Sequence, residues 1–136
     1  MQINPYLFFD GNCEEAFKFY EKATGGKIEA IMPYEGTPGA NQAPPDWGKK
    51  VMHASLTIGD TRLMGSDAPG KDFKKPQGFS VALNLSDPTQ AEKTFKALSD
   101  NGSIQMPIQE TFWAQRFGML TDRFGVPWMI NCEKAA

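Results

Sequence analysis

The sequence predicts an α+β fold of two βαβββ modules that curve a mixed sheet around a cavity. Apolar patterns run strand, helix and three strands, and the same order begins again near residue 78. Three residues of the first half also recur at a constant offset of 76: Phe19, Gly26 and Ile28 match Phe95, Gly102 and Ile104. A helix covers one face of a four-stranded sheet, so two modules around a shared cavity would bury the other faces.

The first module is predicted from its apolar periodicity and its turn residues. Residues 3–9 form an aromatic and aliphatic strand that ends at Asp10-Gly11. Asn12 is the expected N-cap of a helix, Glu15 completes a capping box, and Gly25-Gly26 ends the helix. Strands are predicted at 27–33, 51–58 and 61–66, with the last two joined as a hairpin.

The second module repeats this order. A strand at 78–85 precedes a helix with Asp87 as N-cap, Pro88 at its first position and Gln90 closing a capping box. Asn101-Gly102 provides a left-handed stop. Strands at 103–106, 118–122 and 126–132 follow. We therefore expect residues 1–136 to form a single domain, built of repeats 1–67 and 78–136.

Residues 34–50 predict a long loop, since they hold three Pro and three Gly in seventeen positions. Loops of this length are often functional. Three roles stay open: closure over the site, exchange between subunits, or disorder. The run from Pro44 to Trp47 would form a stiff arm with an aromatic tip.

Composition excludes several classes of function. One histidine and two cysteines, without metal-ligand spacing, exclude a closed structural zinc site. Fourteen basic and sixteen acidic residues give a net charge of −2, which argues against nucleic acid as a partner. No apolar run is long enough to span a membrane and no signal peptide is evident, so we expect a cytoplasmic protein. Cys13 and Cys132 fit that compartment as thiols, although a bridge between them stays open.

Several motifs resemble the PhnB-like family of the glyoxalase, bleomycin-resistance and extradiol-dioxygenase group, the vicinal oxygen chelate superfamily. They cover nearly the whole chain and are the runs at residues 4–7, 11–16, 64–67, 109–114 and 122–131, the last containing Phe124-Gly125-Val126-Pro127-Trp128. The resemblance implies paired βαβββ modules, a cavity inside the curved sheet and a homodimer.

The resemblance also implies a divalent metal on His and Glu ligands in the strands. The matching positions in this chain are Asn4 or Pro5, Met64, Phe79 and Met129, and none of them is an acidic or imidazole ligand. We therefore expect no metal cofactor. The alternative is a divalent metal on a non-standard ligand set drawn from His53, Glu110, Asp67 and Asn131.

Two residues are candidate catalytic groups. His53 is the one side chain of a type that titrates near neutral pH, and it lies on the more polar face of its strand. Glu110 precedes Thr111-Phe112-Trp113, where apolar surroundings would favour its protonated form and suit acid or base chemistry. The alternatives are a structural histidine, and an exposed Glu110 or one paired with Arg116 or Arg123.

The remaining candidates would bind a ligand in the cavity. Aromatic side chains suit a flat apolar molecule, and the polar ones suit its hydrogen-bonding groups. The indole N–H groups of Trp128 and Trp113 would each need a hydrogen-bond acceptor, and Asn131 or Glu110 is available for this. The predicted binding residues are Tyr6, Phe8, Met64, Ser66, Asp67, Phe79, Trp113, Phe117, Trp128 and Asn131.

Three functions are compatible with these residues. The first is a metal-free protein that binds a small hydrophobic or aromatic molecule; the alternative is a small-molecule lyase or isomerase, or a divalent-metal enzyme, that uses Glu110 and His53. A third is a dimerising module whose cavity is filled by side chains. A methyltransferase label carried by some family members is not supported, because no glycine-rich turn joins a strand to a helix. No cluster of basic residues supports a phosphonate site either.

Overall fold

Each half of the chain folds into one helix packed on one four-stranded mixed sheet. The computed structural model describes residues 1–134, apart from the side chain of Gln42. It divides the chain into two compact units, Met1–Lys74 and Lys75–Ala136, and each holds one βαβββ module. The predicted α+β class and the two modules are confirmed. The cavity enclosed by a curved sheet stays a prediction.

In the first unit, β1 runs parallel to β4 and the other neighbours are antiparallel. The strand order is β1-β4-β3-β2. The elements are β1 (Tyr6–Phe9), α1 (Cys13–Thr24), β2 (Lys27–Pro33), β3 (Val51–Ile58) and β4 (Thr61–Asp67).

The core of this unit lies between α1 and one face of the sheet. Leu7 and Phe9 of β1 are buried, and Phe9 meets Phe17 of α1 edge to face at 6.1 Å. Gly65 of β4 lies directly beneath Phe17, because a Cβ there would be 2.8 Å from the ring. Alternate residues of β1 and β4 therefore point away from the helix.

The start of α1 is held by Asp67 and not by the predicted cap. Asn12 occupies the N-cap position, but its side chain makes no capping hydrogen bond. Instead the Cys13 N–H donates to Asp67 Oδ1 at 2.9 Å, and the Val51 N–H donates to Asp67 Oδ2 at 2.9 Å. The Tyr34 hydroxyl also donates to the Asp67 carbonyl oxygen at 2.8 Å. A carboxylate from β4 thus replaces the local cap.

The second unit has the same arrangement, with the order β5-β8-β7-β6 and β5 parallel to β8. Its elements are β5 (Val81–Leu85), α2 (Pro88–Ser99), β6 (Ser103–Gln109), β7 (Ala114–Thr121) and β8 (Pro127–Glu133).

The signals predicted at both ends of α2 are confirmed, except for the residue that was expected to close the capping box. Asp87 Oδ1 accepts the Thr89 N–H at 3.0 Å, and Pro88 begins the helix. Asn101 has φ 61°, the left-handed conformation predicted for the stop. The prediction for Gln90 is wrong, since its amide donates to Thr94 Oγ1 and does not close the box.

Several strand boundaries differ from the prediction. β1 begins at Tyr6 and not at residue 3, since Pro5 precedes it and Ile3 is exposed. β6 continues through Pro107 to Gln109, which an edge strand tolerates because one side of its backbone has no partner. β7 begins at Ala114, four residues before the predicted start.

Residues 34–50 form an ordered connection with two short 3-10 helices, Pro38–Gln42 and Pro45–Trp47. The Tyr34 N–H donates to the Lys50 carbonyl at 3.0 Å, which closes the connection at its base. The Trp47 ring packs against Tyr34 at 6.4 Å. The aromatic tip therefore contacts its own unit. Cys13 and Cys132 are free, buried thiols, one in each unit.

Candidate functional site

The face of the first sheet that turns away from α1 carries most of the candidates from that half. We call it the first open face. Strand register sets Tyr6 beside Met64, Phe8 beside Ser66, and Ser55 beside Met64. Its residues are Tyr6, Phe8, Lys27, Met32, His53, Ser55, Thr57, Arg62, Met64 and Ser66.

Three rings follow one another across this face. Tyr6 and Phe8 have centroids 5.2 Å apart, and Tyr6 and His53 have centroids 5.8 Å apart. Tyr6 is 38% exposed and Phe8 is 53% exposed. Large aromatic side chains at these distances interact favourably with one another and present a continuous apolar surface.

His53 has a hydrogen-bond partner that the sequence did not reveal. The Tyr6 hydroxyl lies 3.2 Å from His53 Nδ1. We assign the phenol as donor, because it is the stronger acid of the two neutral groups; His53 then carries its proton on Nε2. Both residues were predicted, but their pairing depends on the placement of β1 beside β4 and of β4 beside β3.

Ser55 was missed by sequence reasoning and lies at the centre of the first open face. It alternates with Ala54 and Leu56, which are buried toward α1. Ser55 is 6% exposed, and its Oγ has no hydrogen-bond partner among the described residues. A buried hydroxyl without a partner is rare in folded proteins.

The second open face is the corresponding face of the second sheet. Asn131 donates from Nδ2 to Asn84 Oδ1 at 3.2 Å, while Asn131 Oδ1 is buried without a partner among the described residues. Trp113 packs on Phe117 at 5.3 Å and is 47% exposed. Strand register places the remaining residues of the second open face on one side of the sheet; they are Asn84, Phe117, Met119, Met129 and Asn131.

Trp128 lies on the opposite side of its strand, in the core. Its indole N–H donates to Asp122 Oδ2 at 2.9 Å. The prediction that Asn131 or Glu110 would accept this hydrogen bond is therefore wrong. The other oxygen of Asp122 accepts the N–H groups of Phe124 and Val126. Asp67 is likewise buried, with both oxygens accepting backbone N–H groups.

Glu110 is not surrounded by apolar side chains. Its side chain is 68% exposed and lies 3.9 Å from Lys134 Nζ, whereas Arg116 pairs with Glu92 and Arg123 pairs with Asp100. Glu110 belongs to the second unit and His53 to the first, so neither unit by itself brings the two together. Phe79 is exposed and precedes β5, so it lies outside the strand that was predicted to contain it.

A separate cavity of about 400 Å³ opens beside the start of α1. Three of its charged side chains are engaged locally: Lys50 donates to the Gly11 carbonyl at 2.8 Å, and Lys18 pairs with Glu14 at 2.7 Å. This charged lining does not resemble a site for an apolar molecule.

Comparison with known proteins identifies the family. The model of the Glyoxalase/Bleomycin resistance protein/Dioxygenase superfamily matches residues 2–130. The chain belongs to this superfamily. Protein YjdN of Escherichia coli (strain K12) is 36% identical over 98% of this chain and 97% of its own length.

Two solved structures confirm the superfamily fold over the whole length. Protein PA1353 of Pseudomonas aeruginosa is 47% identical with a TM-score of 0.87, and the match covers 99% of each chain. A PhnB protein of Bacillus cereus, described as a putative 3-demethylubiquinone-9 3-methyltransferase, is 25% identical with a TM-score of 0.80; the match covers 97% of this chain and 99% of that one. The PhnB-like resemblance is confirmed by this neighbour.

The donor groups on the open faces do not fit the divalent metal that many superfamily enzymes hold. Met64 and Met129 occupy two of the matching strand positions, and thioethers suit none of the metals concerned. Within residues 1–134, no three His, Cys, Asp or Glu side chains lie close enough to hold a metal ion. The described helices of this superfamily member are also too short or too polar to cross a membrane.

Proposed function

We propose that this superfamily member binds a small aromatic or hydrophobic molecule on its first open face, without the divalent metal of its enzyme relatives. The observation that carries this proposal is the series of rings formed by Phe8, Tyr6 and His53, of which Phe8 and Tyr6 are exposed and His53 is half-buried. A row of exposed aromatic side chains is costly to leave in water and is typical of an interaction surface. A flat ligand would cover it.

The second open face supports the same function. Trp113 is half exposed and already packs on Phe117, so its free surface is available to a second ring. Asn84 and Asn131 add amide groups beside it. An apolar surface with a few polar groups is the usual composition of a small-molecule site.

Titration calorimetry with 2-naphthol tests the proposal. We expect saturable binding to the wild type and about tenfold weaker binding to Phe8→Ala, because the variant loses one aromatic contact. Ile3→Ala is the control, since the Ile3 side chain is 96% exposed and lies before β1, outside both open faces; it should bind as the wild type does. Equal loss in both variants, or no binding to the wild type, would contradict the proposal.

The Tyr6–His53 hydrogen bond favours a second function, a lyase or isomerase in which the pair acts as the base: the Tyr6 oxygen takes a proton from the substrate while the Tyr6 hydroxyl proton passes to His53 Nδ1. An imidazole oriented by a second group is the usual arrangement for proton transfer. Exchange of the methyl protons of acetophenone in D₂O, followed by NMR, should then slow with His53→Gln. A participation of Glu110 stays a prediction, as does the cytoplasmic location.

We also propose a homodimer, as the family resemblance implies. Ile104 of the edge strand β6 is half exposed, and Ile3 is fully exposed. A partner subunit that covered these side chains would remove apolar surface from water. Sedimentation equilibrium should give twice the mass of the chain, and a monomer at all concentrations would exclude the dimer.

A further inference from the structure

We infer that the ligand of the first open face is an aromatic carboxylate, whose oxygens accept hydrogen bonds from Ser55 and His53. This inference names the chemical class of the ligand and rests on the function proposed above. It follows from two polar groups without partners and from the charges around them.

The first of these groups is the Ser55 hydroxyl. Its neighbours Ala54 and Leu56 are buried toward α1, so its Cβ points to the first open face. Ser55 is more than nine-tenths buried and makes no hydrogen bond with any described residue. Such a group gains most from a ligand that supplies the missing partner.

The second group is His53 Nε2. Because the Tyr6 hydroxyl donates to Nδ1, the imidazole keeps its proton on Nε2 and presents it as a donor. His53 and Ser55 are two positions apart on one face of β3, so their Cα atoms are about 7 Å apart. One carboxylate has two acceptor oxygens, so it can accept a hydrogen bond from each of these two donors.

The charges near these donors favour an anion. Register sets Arg62 beside Thr57 and Lys27 beside Thr57, on the same face as Ser55. In the described part of the chain, no carboxylate forms an ion pair with Arg62. The strands of this unit hold two carboxylates: Glu29 at the β2 bulge, and Asp67, which is buried against backbone N–H groups.

Met64 gives the ligand access to Ser55. It is the register partner of Ser55 on β4 and is half-buried on the same face. Methionine has three rotatable side-chain bonds and adapts to the shape of a ligand. We expect it to move aside when the aromatic ring binds against Tyr6 and Phe8.

Calorimetry with 2-naphthoate and 2-naphthamide at pH 8 tests the inference. The two probes share one ring system, but the amide is neutral and replaces an acceptor oxygen with a donor. We expect 2-naphthoate to bind about tenfold more tightly to the wild type. Ser55→Ala should weaken 2-naphthoate about tenfold and Arg62→Gln about threefold, whereas Lys71→Gln, the charge-matched control outside the open face, should change nothing.

The outcomes separate this inference from the function on which it rests. Equal affinities for both probes, with Phe8→Ala still weakening both, would overturn the carboxylate while the aromatic site stands. No binding of either probe would overturn both. A full preference for 2-naphthoate in Ser55→Ala would overturn the role of the hydroxyl.

The stability of Ser55→Ala provides an independent readout. Removal of a buried hydroxyl that has no partner should raise the Tm of the ligand-free protein by a few degrees, although the same change weakens binding. A lower Tm would mean that the fold itself uses the hydroxyl, and it would overturn the inference.

Discussion

A single buried residue, Asp67, forms hydrogen bonds with three segments of the first unit. Its side chain accepts the backbone N–H groups of Cys13 and Val51, and its carbonyl accepts the Tyr34 hydroxyl. The sequence suggested a ligand contact at this position because Asp67 follows a strand. These contacts indicate instead that its main role is to fix the start of α1 and the start of β3.

Asp67→Asn tests that role. The amide would turn an N–H₂ group toward one of the two backbone donors, so we expect the free energy of unfolding to fall by about 1–3 kcal/mol. Urea denaturation measures the change. Asp72→Asn, at an exposed position, is the control and should have the stability of the wild type. A stable Asp67→Asn variant would contradict the role.

Cys13 predicts a specific dependence of stability on pH. Burial raises the pKa of its thiol above the ordinary value near 9, and the charges of Asp67 and Glu14 raise it further. Above pH 9 the unfolded chain releases this proton while the folded chain keeps it. The contribution to stability is therefore full below pH 9 and is lost as the pH rises, by at most about 1.4 kcal/mol per pH unit.

Denaturation of the wild type and Cys13→Ala between pH 8 and pH 10.5 measures this effect. We expect the free energy of unfolding to fall less steeply in the variant, because the alanine has no proton to release. Parallel curves for the two proteins would show that the thiol makes no such contribution.

At the scale of elements, each helix rests on a glycine of its sheet. Gly65 of β4 lies beneath Phe17, and Gly118 of β7 lies beneath Phe95, where a Cβ would come within 2.6 Å of the ring. The glycines allow the helix to approach the strands closely. This contact buries one face of each sheet against its helix, and the other face of each sheet turns away from that helix.

Gly65→Ala tests the close approach. The added methyl group would lie 2.8 Å from the Phe17 ring and 2.9 Å from the Leu7 carbonyl oxygen, so the helix must shift. We expect a loss of about 1–3 kcal/mol in the free energy of unfolding. Gly70→Ala, where no atom lies within 4 Å, is the control. Equal stability of both variants would contradict the packing.

The elements that the sequence predicted best have local signals. Asp87, Pro88 and Asn101 define the ends of α2 within the helix and its immediate neighbours. The cap of α1 was missed because Asp67 is 54 residues from Cys13. Likewise, the strand predicted at 103–106 is shorter than β6, which continues through Pro107, since the edge position that tolerates a proline is a property of the whole sheet.

For the candidate site, too, the sequence predicted the features that depend on local signals and missed those that depend on distant residues. Alternation along the strands predicted that Tyr6, His53 and Met64 would be near a ligand, and strand register brings them onto one face. It did not predict the Tyr6–His53 hydrogen bond, because that contact needs the order of three strands. Nor did it single out Ser55, whose missing partner becomes evident only when its neighbours are placed.

At the scale of the whole molecule, the chain belongs to the superfamily but does not carry the superfamily's usual metal ligands at the matching strand positions. The family model covers 129 residues, from 2 to 130, while thioethers occupy two of the matching ligand positions. We therefore expect Mn²⁺, Ni²⁺ and Zn²⁺ to leave the Tm of the protein unchanged within about 1 °C, because a ligand stabilises only a fold that binds it. A rise of several degrees with any one of these metals would contradict this expectation.

Methionine-methyl NMR tests most directly whether the first open face is the binding surface. In protein labelled at the methionine methyl groups, 2-naphthol should shift the signals of Met64 and Met32 through the ring current of the bound probe. Both lie on that face: Met64 pairs with Tyr6, and Met32 pairs with His53. The signal of Met1, which is fully exposed outside the strands, should stay in place. Unchanged Met64 and Met32 signals at saturation would contradict the account.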